Sequence, residues 1–242
     1  MSKVVVLIPA RYQSSRFPGK PLALIKNKTM IEHVYQNAAS SGLECAVVTD
    51  DSRVEAEVKR FGGKVIRVDD DVPSGSERIA LAYERFYKDS ADLIINVQGD
   101  EPLLPGSSLK ELADFHLKSK FDIATMVRPR KSSESDFKNT NVVKAVLATA
   151  SNQCLYFSRA SLPFDRDQKA EYEWHQHIGV YSYKPQALAE FVKAPVARLE
   201  DLEKLEQLRA MEMGYTIGAL KVEYVLQGVD TPEDVEKVER YL

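Results

Sequence analysis

V-V-V-L-I at residues 4–8 runs directly into P-A-R-Y-Q-S-S-R-F-P-G-K-P at residues 9–21, and this stretch decides the fold. The apolar run is too short for a helix and rich in β-branched residues, which is typical of a buried parallel strand. The three prolines that follow fix φ and disfavour a continuous helix, so we predict a shaped loop. This loop carries Arg11, Arg16 and Lys20 but no carboxylate. Because open α/β sheets bind ligands beyond the carboxyl ends of their strands, the loop predicts a site for a polyanion such as a triphosphate.

Two better-known phosphate loops do not match this segment. A Walker A loop needs Ser or Thr after its lysine, whereas Lys20 is followed by Pro21, and the G-x-G-x-x-G dinucleotide fingerprint is absent. A solvated basic loop is the alternative interpretation. The lack of any compensating acid, and the position after the first strand, favour phosphate binding.

The composition limits the class of protein. The chain has 242 residues, 44% of them hydrophobic, which suits one large domain or one domain with a smaller inserted lobe. A net charge of −3 argues against a surface built to coat nucleic acid. The two cysteines are far apart and predict reduced core thiols in a cytoplasmic protein. We expect no signal peptide and no membrane insertion, since no apolar run approaches the roughly 20 residues that span a bilayer.

Helices and strands alternate in the first part of the chain. Thr29 and Ser52 each begin a capping-box pattern, and Gly42 and Gly62 follow the two helices that these patterns open. Short apolar strands are predicted at residues 45–49 and 64–68. The order β-α-β-α-β predicts parallel strands joined by helices.

Three further segments carry polar groups at strand or helix ends. Ser74 to Arg78 opens a helix whose free N–H groups suit an anion or a polar base, with plain capping as the alternative. Asp100 and Glu101 follow a predicted central strand at residues 91–97, so Mg²⁺ binding is one interpretation and a cap on the next turn is another. Asp230 precedes Thr231 and Pro232, which predict a helix N-cap and first helical residue.

The second half of the chain is less regular. We predict strands at 121–127, 142–148, 153–158, 177–183 and 216–225, a loop at 128–141, and one helix from Glu200 to Gly214. His175 and His177 supply only two ligands for zinc, with no third in sight, so zinc is not expected.

Several motifs together extend over the chain. They are S-G-S-E-R at 74–78, N-V-Q-G-D-E-P at 96–102, F-S-R-A-S-L-P at 157–163, H-I-G-V-Y at 177–181, L-E-K-L-E-Q-L-R at 202–209 and G-V-D-T-P-E-D at 228–234. With the opening stretch, and in this order, the combination resembles the 3-deoxy-manno-octulosonate (Kdo) cytidylyltransferase family. The resemblance implies an α/β fold: a mostly parallel, Rossmann-like nucleotidyltransferase sheet flanked by helices. It also implies a single domain over residues 1–242, with an inserted lobe at about 128–195 that lies on the sugar side and packs a homodimer.

The same resemblance implies a reaction, in which CMP passes from CTP to Kdo and pyrophosphate leaves, making CMP-Kdo for lipopolysaccharide. The implied catalytic residues are Arg16, Lys20, Asp100 and Asp230, of which the two aspartates would bind Mg²⁺. The implied CTP ligands are Pro9, Ala10, Arg11, Arg16, Lys20, Ser74, Arg78, Gln98 and Asp100. The implied sugar ligands are Gln98, Arg159, Arg166, His177, Tyr181, Glu206 and Gln207.

Other functions stay open at this point. The sugar could be 8-amino-Kdo, or the chain could resemble CMP-sialic acid synthetase in its substrate. A non-catalytic nucleotide-binding domain would bind CTP without turnover, although the acids at 100 and 230 argue against it. A Rossmann dehydrogenase would need the glycine fingerprint that is missing.

Overall fold

The computed structural model describes residues 3–13, 17–168, 171–224, 228–229 and 231–242. The chain divides into two compact units. The first comprises Met1–Ala113 and Tyr224–Leu242, and the second comprises Asp114–Glu223. The lobe predicted at about 128–195 lies inside the second unit.

A parallel sheet forms the centre of the first unit. In chain order its elements are β1 (Val4–Pro9), β2 (Leu24–Ile25), β3 (Lys28–Thr29), α1 (Met30–Ala39), β4 (Glu44–Thr49), α2 (Ser52–Arg60), β5 (Val65–Arg67), α3 (Gly75–Phe86), β6 (Leu93–Asn96) and, near the end of the chain, α8 (Pro232–Glu239). Helix α4 (Gly106–Lys118) begins in this unit. Strand β1 pairs in parallel with both β4 and β6, and β4 pairs with β5. The predicted β-α-β-α-β order is confirmed.

Strand β1 is buried along its whole length, as its apolar sequence predicts. Val5, Val6 and Ile8 have no exposed surface, and Val6 lies between Cys45 of β4 and Ile95 of β6. Burial on both faces explains why this strand is continuously hydrophobic rather than alternating. The loop that follows β1 therefore begins at a strand end that is held rigidly by packing.

Two of the predicted capping boxes are wrong. The Thr29 hydroxyl makes no cap bond; it donates instead to Glu57 in α2 at 2.8 Å. Helix α2 is capped by Asp51, whose carboxylate accepts from the N–H groups of Arg53 and Val54, because a charged acceptor one residue earlier outcompetes Ser52. Ser74 and Thr231 are N-caps as predicted.

The second unit contains a mixed sheet. Its elements are β7 (Ile123–Lys131), β8 (Lys144–Ala148), β9 (Gln153–Ser158), β10 (Glu173–Tyr183), α5 (Pro185–Phe191), α6 (Arg198–Glu203), α7 (Gln207–Glu212) and β11 (Ile217–Lys221). Strand β10 is antiparallel to β7 and β8, β9 is antiparallel to β8, and β11 is parallel to β7. Trp174, Phe157 and Phe191 are among its largest buried side chains.

Three predictions about this unit are wrong in extent. The loop expected from residue 128 begins later, because β7 pairs with β10 as far as Lys131. The single helix expected from Glu200 to Gly214 is interrupted at Lys204, which adopts a left-handed φ of 52° and separates α6 from α7. The strand predicted at 216–225 ends at Lys221. None of the helices in the described ranges has both the length and the apolar character needed to cross a bilayer.

Candidate active site

An ion pair joins the cationic loop to the acidic turn after β6. The Lys20 ammonium donates to Asp100 Oδ2 at 2.6 Å and to the carbonyl of Val229 at 2.9 Å. Lys20 begins a short 3-10 helix after Gly19, whose φ of 75° suits glycine. Three segments far apart in the sequence thus meet within the first unit, where Lys20 and Asp100, which the sequence predicted to share a site, contact each other.

Asp100 carries the acidic part of this arrangement. Its side chain is partly exposed, and its carbonyl accepts from the Val229 N–H at 3.0 Å. Val229 directly precedes Asp230 in the sequence, although Asp230, like Arg16, lies outside the described residues. The described residues alone contain no group of three His, Cys, Asp or Glu that could hold a metal ion. A partly exposed carboxylate nevertheless fits Mg²⁺, which uses one or two carboxylates and completes its shell with water and phosphate oxygens.

Two glycines allow close packing around the end of β1. A Cβ atom on Gly99 would lie 3.0 Å from the carbonyl oxygen of Pro9, and one on Gly75 would lie 3.1 Å from Pro9 Cγ. Ala10 is held by a hydrogen bond from its N–H to the carbonyl of Val48 at 2.9 Å. The turns at the starts of α3 and after β6 can therefore approach the Pro9–Ala10 backbone, where the sequence predicts nucleotide contacts.

Arg11 and Arg78 line one cavity of about 460 Å³ in the first unit. Arg11 donates to the carbonyls of Val72 and Pro73. Arg78, in the first turns of α3, is buried; its Nη2 donates to Asp50 Oδ2 at 2.7 Å, and burial lowers the pKa of its guanidinium. The remaining lining residues are Tyr12, Gln13, Asp50, Asp51, Asp69, Asp70, Asp71 and Val72.

Ser74 was predicted from the sequence to contact the nucleotide, whereas Asp50 was not. The Ser74 hydroxyl accepts from the Glu77 N–H at 3.1 Å, so capping uses at least one of its lone pairs. Asp50 was missed by the sequence reasoning. The available signal was its position, since it directly follows a parallel strand at the edge where such sheets bind ligands.

His177 and Tyr181 lie side by side in the second unit. Their ring centroids are 5.4 Å apart, and His177 also packs edge-on against Phe157 at 5.0 Å. Burial lowers the pKa of His177 to about 3, so its ring is neutral at pH 7. The Thr125 hydroxyl lies 3.1 Å from His177 Nε2 and 2.8 Å from the carbonyl of Val180, so this ring nitrogen is hydrogen-bonded to Thr125.

Glu206 and Gln207 precede and begin α7, in the same unit. The pKa of Tyr181 is raised well above its ordinary value, first by burial, then by Tyr183 and by the charge of Glu206. The Glu206 carboxylate is therefore close enough to Tyr181 to affect it electrostatically. Gln207 is only 7% exposed, and its Nε2 has no hydrogen-bond partner among the described residues. A buried amide left without a partner costs free energy that a polar ligand could recover.

The other predicted sugar ligands are placed differently. The Arg159 guanidinium donates to the carbonyls of Glu203 at 2.8 Å and Thr140 at 3.1 Å. Arg166 is exposed in a turn. Gln98 follows β6 in the first unit, where its carbonyl accepts from the Glu101 N–H at 3.3 Å.

Comparisons with known proteins agree on a cytidylyltransferase, although the names of the relatives differ in the sugar. A family model described as cytidylyltransferase matches residues 5–217. A 3-deoxy-manno-octulosonate cytidylyltransferase from Thermodesulfovibrio yellowstonii is 43% identical over 98% of this chain and 97% of its own length. An 8-amino-3,8-dideoxy-manno-octulosonate cytidylyltransferase from Shewanella halifaxensis is 45% identical over 99% and 98%. The solved structure of a CMP:2-keto-3-deoxy-manno-octonic acid synthetase complexed with CTP matches with a TM-score of 0.91 and 38% identity, over 99% of this chain and 98% of that one.

Proposed function

The chain belongs to the cytidylyltransferase family, and from that premise we propose that it transfers CMP from CTP to Kdo and releases pyrophosphate. The single observation that carries the proposal is the 2.6 Å contact between Lys20 and Asp100. It joins the cation that we assign to phosphate and the carboxylate that we assign to the metal ion. The resemblance seen in the sequence is confirmed by the relatives that share its name.

The nucleotide half of the reaction falls to residues of the first unit. We assign Pro9, Ala10, Arg11, Ser74, Arg78 and Gln98 to CTP binding, and Arg16 and Lys20 to neutralising the pyrophosphate that leaves. Phosphoryl-type transfer asks little covalent chemistry of the protein, so positioning and charge neutralisation dominate its contribution. Asp100 and Asp230 would hold Mg²⁺, which when bound polarises the α-phosphate and lowers the pKa of the attacking hydroxyl.

The sugar half falls to residues of the second unit. We assign His177, Tyr181, Glu206 and Gln207 to Kdo, with Gln98, Arg159 and Arg166 as further candidates. The anomeric 2-hydroxyl of Kdo attacks the α-phosphorus in line with the departing pyrophosphate: a new O–P bond forms as the bond between the α-phosphorus and the pyrophosphate oxygen breaks, and the hydroxyl proton passes to solvent. A neutral His177 is already hydrogen-bonded to Thr125 through Nε2, so it suits orientation rather than proton abstraction.

The competing substrate is 8-amino-Kdo, which the Shewanella halifaxensis relative's name favours at 45% identity. The deciding experiment incubates the protein with CTP, Mg²⁺ and, separately, Kdo, 8-amino-Kdo and N-acetylneuraminate, and measures pyrophosphate release. We expect release with Kdo. Faster turnover of 8-amino-Kdo would reassign the substrate, and CTP binding without pyrophosphate release from any sugar would contradict the enzyme.

Two variants test the acidic residues. Asp100→Ala and Asp230→Ala should each lower turnover by orders of magnitude while circular dichroism shows a folded chain. Wild-type rates in both variants with Mg²⁺ present would contradict the two-carboxylate assignment. Glu84→Gln, on an exposed carboxylate paired with Lys88, is the matched control.

The homodimer and the cytoplasmic location remain predictions. The homodimer rests on the family resemblance of the lobe at about 128–195, and light scattering of the purified chain measures it directly. The cytoplasmic location accords with two buried cysteines that form no disulfide.

A further inference from the structure

Arg78 is held by two hydrogen bonds, and its guanidinium keeps further N–H donors that these bonds do not use. It is 1% exposed, its Nη1 donates to the carbonyl of Val68, and its Nη2 donates to Asp50. A guanidinium has five N–H donors, so these two bonds leave three. Its Nε is buried and has no hydrogen-bond partner among the described residues.

The cavity beside Arg78 is polar and acidic. Five aspartates and two arginines line it. Asp51, Asp69 and Asp70 are paired with Arg53, Arg67 and Arg85, none of which lines the cavity, whereas Asp50 is paired with Arg78, which does. So many carboxylates repel a phosphate chain. An uncharged ring with hydrogen-bonding edges, such as a nucleobase, suits the cavity better.

On the proposed function, we infer that Asp50 is a positioning residue that holds Arg78 where its guanidinium distinguishes cytosine from uracil in the nucleotide. Cytosine presents two adjacent acceptors, O2 and N3, which a donor-only guanidinium can contact together. Uracil presents O2 as an acceptor but an N–H at position 3, which would face another donor. The discrimination between cytosine and uracil therefore depends on the direction in which the planar guanidinium of Arg78 points.

Asp50 controls that direction because of its place in the fold. It directly follows β4, and its carboxylate contacts a side chain from α3. Without the carboxylate, the Val68 carbonyl is the remaining hydrogen-bond acceptor of Arg78 among the described residues, and the guanidinium could rotate about it. A single remaining hydrogen bond fixes a position less well than two.

The test compares the binding of CTP and UTP by calorimetry in wild type, Asp50→Ala and Asp50→Asn, with Glu84→Gln as the control. Glu84 lies on the same helix as Arg78, but it is exposed, pairs with Lys88 and is not among the residues that line the cavity. We expect wild type and Glu84→Gln to prefer CTP by about tenfold or more, the value of one charge-assisted hydrogen bond. Asp50→Ala should lose most of this preference, and Asp50→Asn, which keeps an oxygen acceptor, should retain most of it.

Several results would overturn the inference. An unchanged CTP:UTP ratio in Asp50→Ala would show that Asp50 supports only the fold, since a general loss of stability lowers both affinities alike. An equal loss of preference in Asp50→Asn would show that charge rather than position matters. Should Asp50→Ala fail to fold, Arg78→Lys gives the same comparison, because its ammonium keeps the charge without the planar fork.

The test also separates this inference from the proposed reaction. A ratio that collapses in Asp50→Ala supports base discrimination even if no sugar yields pyrophosphate. Pyrophosphate release from Kdo with an unchanged ratio supports the reaction and rejects the role of Asp50. In an active enzyme, the KM for the sugar should stay constant in Asp50→Ala while the KM for CTP rises.

Discussion

We predict that the buried ion pair between Glu200 and Arg209 stabilises the turn at Lys204, which separates α6 from α7. Arg209 donates to both carboxylate oxygens of Glu200, at 2.7 and 2.8 Å, and both side chains are less than 10% exposed. The guanidinium also donates to the carbonyl of Ala194 at 3.2 Å and lies 4.6 Å from the centre of the Phe191 ring. The pair joins α6 to α7, and the proposed sugar ligand Gln207 lies between its two members in the sequence.

Arg209→Met removes the cation and leaves the carboxylate of Glu200 buried, where it still accepts from the Ala197 N–H at 3.1 Å. Breaking a buried pair in this way costs about 3–5 kcal/mol of unfolding free energy. Replacing both members, as in Glu200→Leu with Arg209→Met, leaves no buried charge. That double variant should lie within about 2 kcal/mol of wild type, because hydrophobic replacements of buried pairs are often close to neutral.

The assay is urea unfolding followed by tryptophan fluorescence. The chain has one tryptophan, Trp174, which is fully buried in the same unit as the ion pair. The double-mutant cycle then gives the coupling between the two side chains. A loss below about 1 kcal/mol in Arg209→Met, or a double variant as unstable as the sum of the two single ones, would refute the reasoning.

Three other predictions follow from single contacts. Lys20→Met should weaken CTP binding, measured by calorimetry, by about tenfold or more, since the ammonium that we assign to phosphate is lost; unchanged affinity would remove Lys20 from the proposed phosphate site. Burial lowers the pKa of His116 from 6.5 to about 4, so the unfolded chain takes up this proton at higher pH than the folded one. The free energy of unfolding should therefore fall as the pH drops from 6.5 to 4, by at most about 3 kcal/mol more in wild type than in His116→Asn. Urea titrations at each pH measure this difference, and parallel plots of unfolding free energy against pH for the two proteins would contradict the prediction. Gly99→Ala should weaken CTP binding more than it lowers the melting temperature, because the added Cβ would lie 3.0 Å from the Pro9 carbonyl oxygen at the proposed nucleotide contact.

The first half of the fold was accessible from the sequence because its signals are local. An apolar, β-branched strand and helices ended by glycine need no distant partner to be recognised, and the parallel order of β1, β4 and β5 followed from them. The errors arose where a neighbour decided the outcome. Asp51 rather than Ser52 caps α2 because its carboxylate competes better for the same N–H groups. Helix α6 ends at Glu203, just before Lys204, a residue with no helix-breaking character. The carbonyls of Glu203 and Lys204 accept from the guanidinium of Arg159, which follows β9.

The candidate site was predicted in part for the same reason. Lys20 and Asp100 both follow strands of a parallel sheet, so their meeting could be inferred from strand order alone. Asp50 also follows such a strand, but its significance depends on Arg78, which lies 28 residues away and becomes its partner only through the packing of α3. A spacing argument has no means of finding such a pair.

The Lys20–Asp100 contact also restricts how the proposed substrates can bind. The ammonium assigned to phosphate and the carboxylate assigned to the metal ion are bonded to each other, so each must give up or share its partner when nucleotide arrives. The exchange keeps charges balanced: Lys20 replaces a carboxylate with a phosphate oxygen, and Asp100 becomes available to a cation. Since the two side chains are 15% and 31% exposed, water can stabilise the charges while they separate. Lys20 therefore keeps Asp100 paired without a deep desolvation penalty, and the site can exist before CTP binds without leaving this carboxylate uncompensated.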